Sequence, residues 1–310
     1  MKTIKVLLVT AMILCTSLMS GYTFTNSIDL EEQKEALLIK DRIETRLNSE
    51  DVATVSEYDL YLDLVEKTDS ELREAGYTTD QIKSLREFDY SEEIEKKAQL
   101  DEKELKSLGY SSDRIDAIKS FDGTEASIRS GSAQLTFVLY EENSYSSSNF
   151  SFVDLGVYWT WDSTPLWGFT DIIAVSWSDG MYCDTSNTNN TREWFYWHRE
   201  IDDVYMDYST KELTAELNAG AYVREKISKN TGSVWNPKPE DFHYLKNGAM
   251  LLRIHKQAYV PEIAVLAKYG HSTITISPSV TFSQSPAIGI SFSMTMQEAG
   301  EDDLYVNLNN

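Results

Sequence analysis

Asp162 and Asp171 flank the turn Pro165-Leu166-Trp167, and a pair of carboxylates is the minimum equipment of a glycoside hydrolase. One acid must protonate the leaving oxygen while the other attacks or activates water, so the two have to face each other across a defined gap. Spacing along the chain does not set that gap. With 50 Asp and Glu among 310 residues, carboxylate pairs also arise by chance. Asp162 and Asp171 are therefore weak catalytic candidates. Four aromatic residues are candidates for ligand binding. Trp167 and Trp235 stand beside Pro165 and Pro237 in turn-rich stretches, and Trp194 and Tyr196 belong to the run Trp194-Phe195-Tyr196-Trp197. In a strand, that run puts rings on both faces, which a strand with one wet face does not do. Either both faces are covered, or one displays rings to a ligand as sugar-binding platforms do.

Other chemistry lacks its residues. His198, His243, His255 and His271 stand far apart, and none forms a HExxH pattern. The two cysteines, Cys15 and Cys183, are too few for a thiolate zinc site, and removal of Cys15 leaves no internal disulfide. Cys183 reads as a small buried apolar residue. No GxSxG elbow, phosphate loop or dinucleotide fingerprint is present. The loop Asp184 to Asn190 offers oxygen ligands without EF-hand spacing and reads as a solvated turn. No metal or cofactor is expected.

The elements that must position these residues fall into three blocks. Residues 1–26 carry Lys2 and Lys5 ahead of the apolar stretch Val6–Leu14, the pattern of a secretory signal peptide, so a secreted or cell-surface protein is expected. Beyond residue 26 no apolar run approaches the ~20 residues of a membrane-spanning helix. The net charge of −22 opposes phosphate backbones and anionic headgroups, so nucleic acid and electrostatic membrane binding are disfavoured. Residues 27–125 form an acidic helical region. Leu30, Leu37, Leu38, Ile43 and Leu47 make a stripe at helical spacing. Asn48-Ser49-Glu50 breaks it, and Ser49 is placed to cap a second helix carrying Val52, Val55, Tyr58, Tyr61, Leu62 and Val65.

Two copies of one unit follow, at 71–89 and 104–122. Glu71-Leu72 through Gly76-Tyr77-Thr78 to Phe88-Asp89 matches Glu104-Leu105 through Gly109-Tyr110-Ser111 to Phe121-Asp122 in register. Each reads as helix, glycine turn, helix, with Ser91–Gln99 a connecting helix between them. Ala126–Ser132 is expected to be a linker. From 126 to 310 the composition turns to Ser, Thr, Tyr, Trp, Phe and Val in alternating segments: Gln134–Tyr140, Phe150–Trp161, Asp171–Trp177, Glu193–Tyr205, Leu213–Val223, Ala249–His255, Ile263–Ala267, Thr273–Ile276, Ile288–Met296 and Leu304–Leu308. The fold class is a multidomain α plus all-β chain: a helical region with two helix-turn-helix repeats, then an antiparallel β-sandwich, with a closed barrel as the alternative.

The repeat pattern at Leu72–Asp89 and Leu105–Asp122 resembles repeats in exported proteins of Gram-positive bacteria, a group with no established function. Trp159–Leu166 followed by Thr170–Trp177 is similar to a stretch of the same proteins. The helix-Gly-Tyr-helix unit also resembles small ubiquitin-associated-type helical domains. The resemblance implies architecture and export only. The function expected from the residues is non-enzymatic recognition outside the cell, with the β domain contacting a glycan, an envelope polymer or a protein. A secreted polysaccharide hydrolase using Asp162 and Asp171 is one alternative. A membrane-active or pore-forming protein is the other, on the Ser/Thr/apolar alternation from His271 to Met296, which suits an insertable hairpin.

Overall fold

A computed structural model describes residues 30–310 except 49–51, 108–109, 111, 184, 186–191, 200–205, 212, 217, 231–241, 274–278, 284–287, 294–295 and 310. The fold is mixed α plus β with antiparallel sheets, and Ile39–Asn310 form one compact unit.

Helix α1 (Leu30–Leu47) buries Ile39 and Ile43. Near its C-terminus Arg46 reaches Glu142 at 2.9 Å and lies 4.4 Å over the Tyr140 ring. The helix expected to start at Ser49 is a strand first. β1 (Ala53–Ser56) pairs with Gln134–Phe137, and only then does α2 (Glu57–Val65) begin. The reason is local: β-branched Thr54 and Val55 favour a pleated edge, and the Ser56 side chain accepts the Asp59 N–H as an N-cap.

The first repeat copy is α3 (Asp69–Glu74) and α4 (Thr79–Glu87), both opened by capping boxes, Thr68 with Glu71 and Thr78 with Gln81. Gly76 turns between them at φ +84°, and Leu72, Tyr77, Ile82 and Leu85 are buried together. α5 (Tyr90–Gln99) connects the copies, capped by Asp89. The second copy is α6 (Glu102–Ser107) and α7 (Ser112–Lys119), where Leu105, Tyr110, Ile115 and Ile118 form their own cluster. The stretch expected to be a linker is α8 (Glu125–Gly131), capped by Thr124. Ile128 fixes it by packing with Tyr58, Tyr90 and Ile94.

The strands that follow are β2 (Gln134–Ser146), β3 (Ser151–Trp161), β4 (Thr170–Trp177), β5 (Tyr182–Cys183), β6 (Arg192–Arg199), β7 (Met206–Lys211), β8 (Thr214–Glu216), β9 (Gly220–Lys226), β10 (Ser228–Asn230), β11 (Phe242–Lys256), β12 (Glu262–Ser272), β13 (Val280–Ser283), β14 (Gly289–Phe292) and β15 (Met296–Asn307). One sheet runs β1-β2-β3-β11-β6-β7, with β5 and β10 also on β11; a second runs β15-β12-β4-β9-β8; β13 and β14 pair with each other. Trp159 and Trp161 of β3, Leu252 and Ile254 of β11, Ile173 and Val175 of β4, and Val265 and Tyr269 of β12 meet in one core drawn from both larger sheets.

Gly76 lies in the left-handed region with open space around its Cα. Replacing it by alanine adds a Cβ that such a backbone disfavours by about 1–2 kcal/mol. Gly76→Ala should lower unfolding stability by that amount in urea titration.

Candidate functional site

Of the four aromatic residues singled out, Trp167 is buried, its ring 5.9 Å from Tyr61, 5.6 Å from Phe88 and 6.3 Å from Tyr90. Trp194 and Tyr196 lie on β6 opposite Ala249 and Asn247 of β11, and their side chains lie outside the described residues, as does Trp235 altogether. The loop Asp184 to Asn190 is likewise outside them apart from Thr185. Asp162 accepts from the Gln134 N–H at 2.8 Å and pairs with Arg114. Asp171 is fully buried and belongs to a different constellation.

Glu57, Asp171 and His271 come together at zero exposure from three distant parts of the chain. Both Asp171 oxygens stand 3.0 Å from His271 Nδ1. The Tyr269 hydroxyl donates to Asp171 at 2.8 Å, and the Ser272 N–H donates at 3.0 Å. Trp161 Nε1 donates to the Tyr269 oxygen at 3.1 Å. On the other side of the ring, Glu57 lies 3.6 Å from His271 Nε2, an ion-pair distance. Glu57 accepts the Leu166 and Trp167 N–H groups at 2.8 Å each and the Tyr90 hydroxyl at 3.0 Å. Burial alone would lower the His271 pKa, yet the two carboxylates outweigh it and hold it up at about 10. Burial alone would raise the Glu57 pKa. The hydrogen bond and charge of His271, with the two backbone N–H groups, keep it below the ordinary carboxylate value. Every Asp171 and Glu57 oxygen is engaged within the protein, so the cluster holds elements together and has no free face for a substrate. Sequence spacing had no means of finding it, because Glu57, Asp171 and His271 are each about a hundred residues from the next.

The same cluster sits at the root of a second feature. β12 and β15 are neighbours in register, with His271 opposite Gln297 and Ser272 opposite Met296. Residues 273–295 connect those neighbours. Its described parts form the hairpin β13–β14, pairing Val280 with Phe292 through Ser283 with Gly289. The hairpin lies on the second sheet. Val280, Ile290 and Met296 are buried with Ile172 and Ala174, and Phe282 and Phe292 pack beside Tyr222 and Leu266. Two glycines make the seats: a Cβ on Gly220 would stand 2.4 Å from the Phe282 ring, and one on Gly270 would stand 3.0 Å from the Phe292 ring. Thr281, Ser283 and Ser291 face outward. The hairpin thus shows water its hydroxyls and the sheet its apolar side. Among the described residues no helix is long and apolar enough to cross a membrane.

No family model matches the sequence, and no curated protein is similar to it. Solved structures that resemble part of the chain include AvmM, which catalyses macrocyclization in alchivemycin A biosynthesis (9% identity, TM-score 0.25, 57% of this chain and 89% of that one). A pore-forming protein (10%, TM-score 0.23, 57% and 79%) and the NetB toxin of Clostridium perfringens in its membrane-inserted form (9%, TM-score 0.21, 57% and 85%) also resemble it. At these scores none of them carries weight for function.

The pH dependence of stability follows from the cluster. A histidine whose pKa is higher folded than unfolded contributes fully below its ordinary 6.5 and loses that contribution as pH rises through about 10. Glu57, depressed when folded, contributes above its ordinary 4.5 and loses it as pH falls through the native value. The thermal midpoint should therefore fall steadily from pH 6.5 to 10. His271→Gln strands two buried carboxylates, so it should cost about 3–5 kcal/mol and flatten that slope.

Proposed function

We propose that this protein acts outside the cell as a membrane-inserting pore former, and that 273–295 is its inserting hairpin. One observation carries the reading. Continuing the β12–β15 register beyond Ser272 and Met296 sets 273–282 against 286–295, ten residues each, and leaves Ser283-Gln284-Ser285 for the turn. A tilted transmembrane strand needs about 9–11 residues. Every even-numbered residue from Ile274 to Met294 except Gln284 is apolar, Pro278 and Pro286 among them, which each leave one ladder hydrogen bond unmade, and every odd-numbered residue from Thr273 to Thr295 is Ser, Thr, Ala or Gly. No residue of the stretch is charged. That is the strict alternation of a strand with lipid on one side and water on the other.

The docked hairpin supports the same reading. Its register, Val280 opposite Phe292, differs from the continued register, Val280 opposite Ile288, by an even number of residues, so each side chain keeps its face. The apolar side that now rests on Gly220 and Gly270 would then meet lipid. One hairpin leaves two unpaired edges, which hydrocarbon does not tolerate, so several copies must close a barrel. The two larger sheets, sharing one core, act as a β-sandwich body from which the hairpin extends. The acidic surface is no obstacle, because insertion of an uncharged hairpin draws on apolar burial rather than attraction to headgroups.

Vesicles of phosphatidylcholine loaded with a dye test the reading: micromolar protein should empty them. Val280→Lys puts a charge on the lipid face at about 2–4 kcal/mol per copy and should abolish release. Thr281→Lys adds the same charge on the other face and should keep release while making the pore prefer anions. Intact vesicles with the unmodified protein, or equal loss in both variants, would end the proposal.

A second observation favours recognition of a glycan by the β body. Tyr145, Phe152, His255 and Tyr182 are successive cross-strand neighbours on β2, β3, β11 and β5. Tyr145 is half exposed and stacks on Phe152 at 6.0 Å, and Tyr182 lies 4.1 Å from His255. A row of rings across a sheet suits the apolar face of a sugar. On this reading a glycan array gives a signal that Tyr145→Ala removes. A blank array with the unmodified protein rejects it.

A further inference from the structure

A polar row of side chains runs beside the ring row of Tyr145, Phe152 and His255. One step further along the same strands, the cross-strand neighbours are Asn143 on β2, Asp154 on β3 and Arg253 on β11. Both rows lie on the face turned away from the core, because the residues that alternate with them, Val153, Leu155, Leu252 and Ile254, lie in it. Asn143 is exposed, and Asp154 and Arg253 are part-exposed. Arg253 grips Asp154 with two N–H groups at 2.6 Å each, and its guanidinium lies 4.3 Å over the Phe152 ring, so the two rows touch. Phe150 stands against the ring row as well, 6.1 Å from Phe152 and 6.0 Å from His255.

Three properties of this surface define what it fits. It is long: from Tyr145 to Tyr182 it crosses four strands, roughly 14 Å at the ~4.8 Å spacing of neighbouring strands, more than one sugar ring covers. It is amphipathic across its width, with rings on one side and an amide, a carboxylate and a guanidinium on the other, all of which bind hydroxyls. It is also electrically balanced, in a protein of net charge −22. Asp154 and Arg253 cancel each other, and Lys256 turns its Nζ onto the Asp179 carbonyl at 2.6 Å. A polyanion is held by a surplus of cations and a polycation by a surplus of carboxylates. A neutral chain needs neither.

Resting on the recognition reading, and independent of the pore, we propose that the ligand is a neutral, linear glycan of β-linked, all-equatorial sugars laid across the strands along the ring row. In such a chain each sugar shows C–H groups on its flat faces and hydroxyls at its edges. The C–H faces stack on Tyr145, Phe152, His255 and Tyr182. One edge turns its hydroxyls to Asn143, Asp154 and Arg253. An α-linked chain coils, and would leave part of the row uncovered.

Titration calorimetry of the full chain with cello- and chito-oligosaccharides of two to six units tests the proposal. In one of the two series, affinity should climb roughly tenfold or more from dimer to tetramer and then level off. Added salt should leave it unchanged. Tyr182→Ala removes the last ring of the row and should weaken tetramer binding roughly two- to tenfold. Asn143→Ala, at an exposed position, should weaken binding by a similar factor. Tyr305→Ala alters an exposed tyrosine of β15, off the row, and should change nothing. Full affinity already with the dimer, an acidic glycan such as heparin displacing both series, or unchanged binding in both Tyr182→Ala and Asn143→Ala would overturn the proposal and leave glycan recognition standing. So would the absence of heat with either series when the glycan array gives a signal that Tyr145→Ala removes. A blank array and no heat together would end the recognition reading and this proposal with it.

Discussion

A buried carboxylate is stable only if charge and hydrogen bonds replace the water it has lost, and this protein buries two of them on either side of one imidazole. Asp171 alone accepts from Tyr269, Ser272 and His271, and Glu57 alone accepts from Leu166, Trp167 and Tyr90. Neither arrangement closes without the other, because the His271 charge is shared between them. The consequence is mechanical. α2, the 162–170 turn, β4 and β12 are tied at one point, so the helices cannot move away from the sheets without exposing an ion cluster that has no water-free alternative.

Strand order explains why that point matters. β12 and β15 are paired neighbours, and neighbours in an antiparallel sheet need only a few residues to turn between them. Here the connection from Thr273 to Thr295 is far longer, and it spends part of its length as a separate hairpin lying on the sheet's outer face. The connection alternates apolar with small residues and carries no charge, with Pro278 and Pro286 among its apolar positions. Its pattern fits a strand pair with one apolar and one wet side. The glycines at 220 and 270 provide flat seats for two phenylalanines in the meantime.

Much of the fold was legible in the sequence because it rests on local rules. The turn at Gly76 follows from that glycine and the capping residue Thr78, and the strands from alternation in segments such as Phe150–Trp161. The misread parts turn on tertiary pairing. Ala53–Ser56 becomes a strand because Gln134–Phe137 is there to receive it, and Glu125–Gly131 a helix because Ile128 finds Tyr58, Tyr90 and Ile94. The alternation from His271 to Met296 was visible. Its exact phase relative to the sheet was not, because phase depends on the Ser272–Met296 pairing. Trp167 illustrates the opposite error: a tryptophan beside proline suggests display, yet the two N–H bonds of Leu166 and Trp167 to Glu57 draw that turn inward and bury the ring.

The duplication in the helical region gains a reason from this geometry. Two copies of one small unit bury two separate clusters around Tyr77 and Tyr110, and neither cluster is large enough to stand alone. The copy next to α2 packs on the β half through Trp167, while its partner packs on α5 and α8 behind it. The Tyr77 hydroxyl of the first copy accepts from Gln297 of β15. A repeat that contacted only its neighbours would extend a solenoid; the first copy instead reaches across to the β half through Trp167 and Gln297.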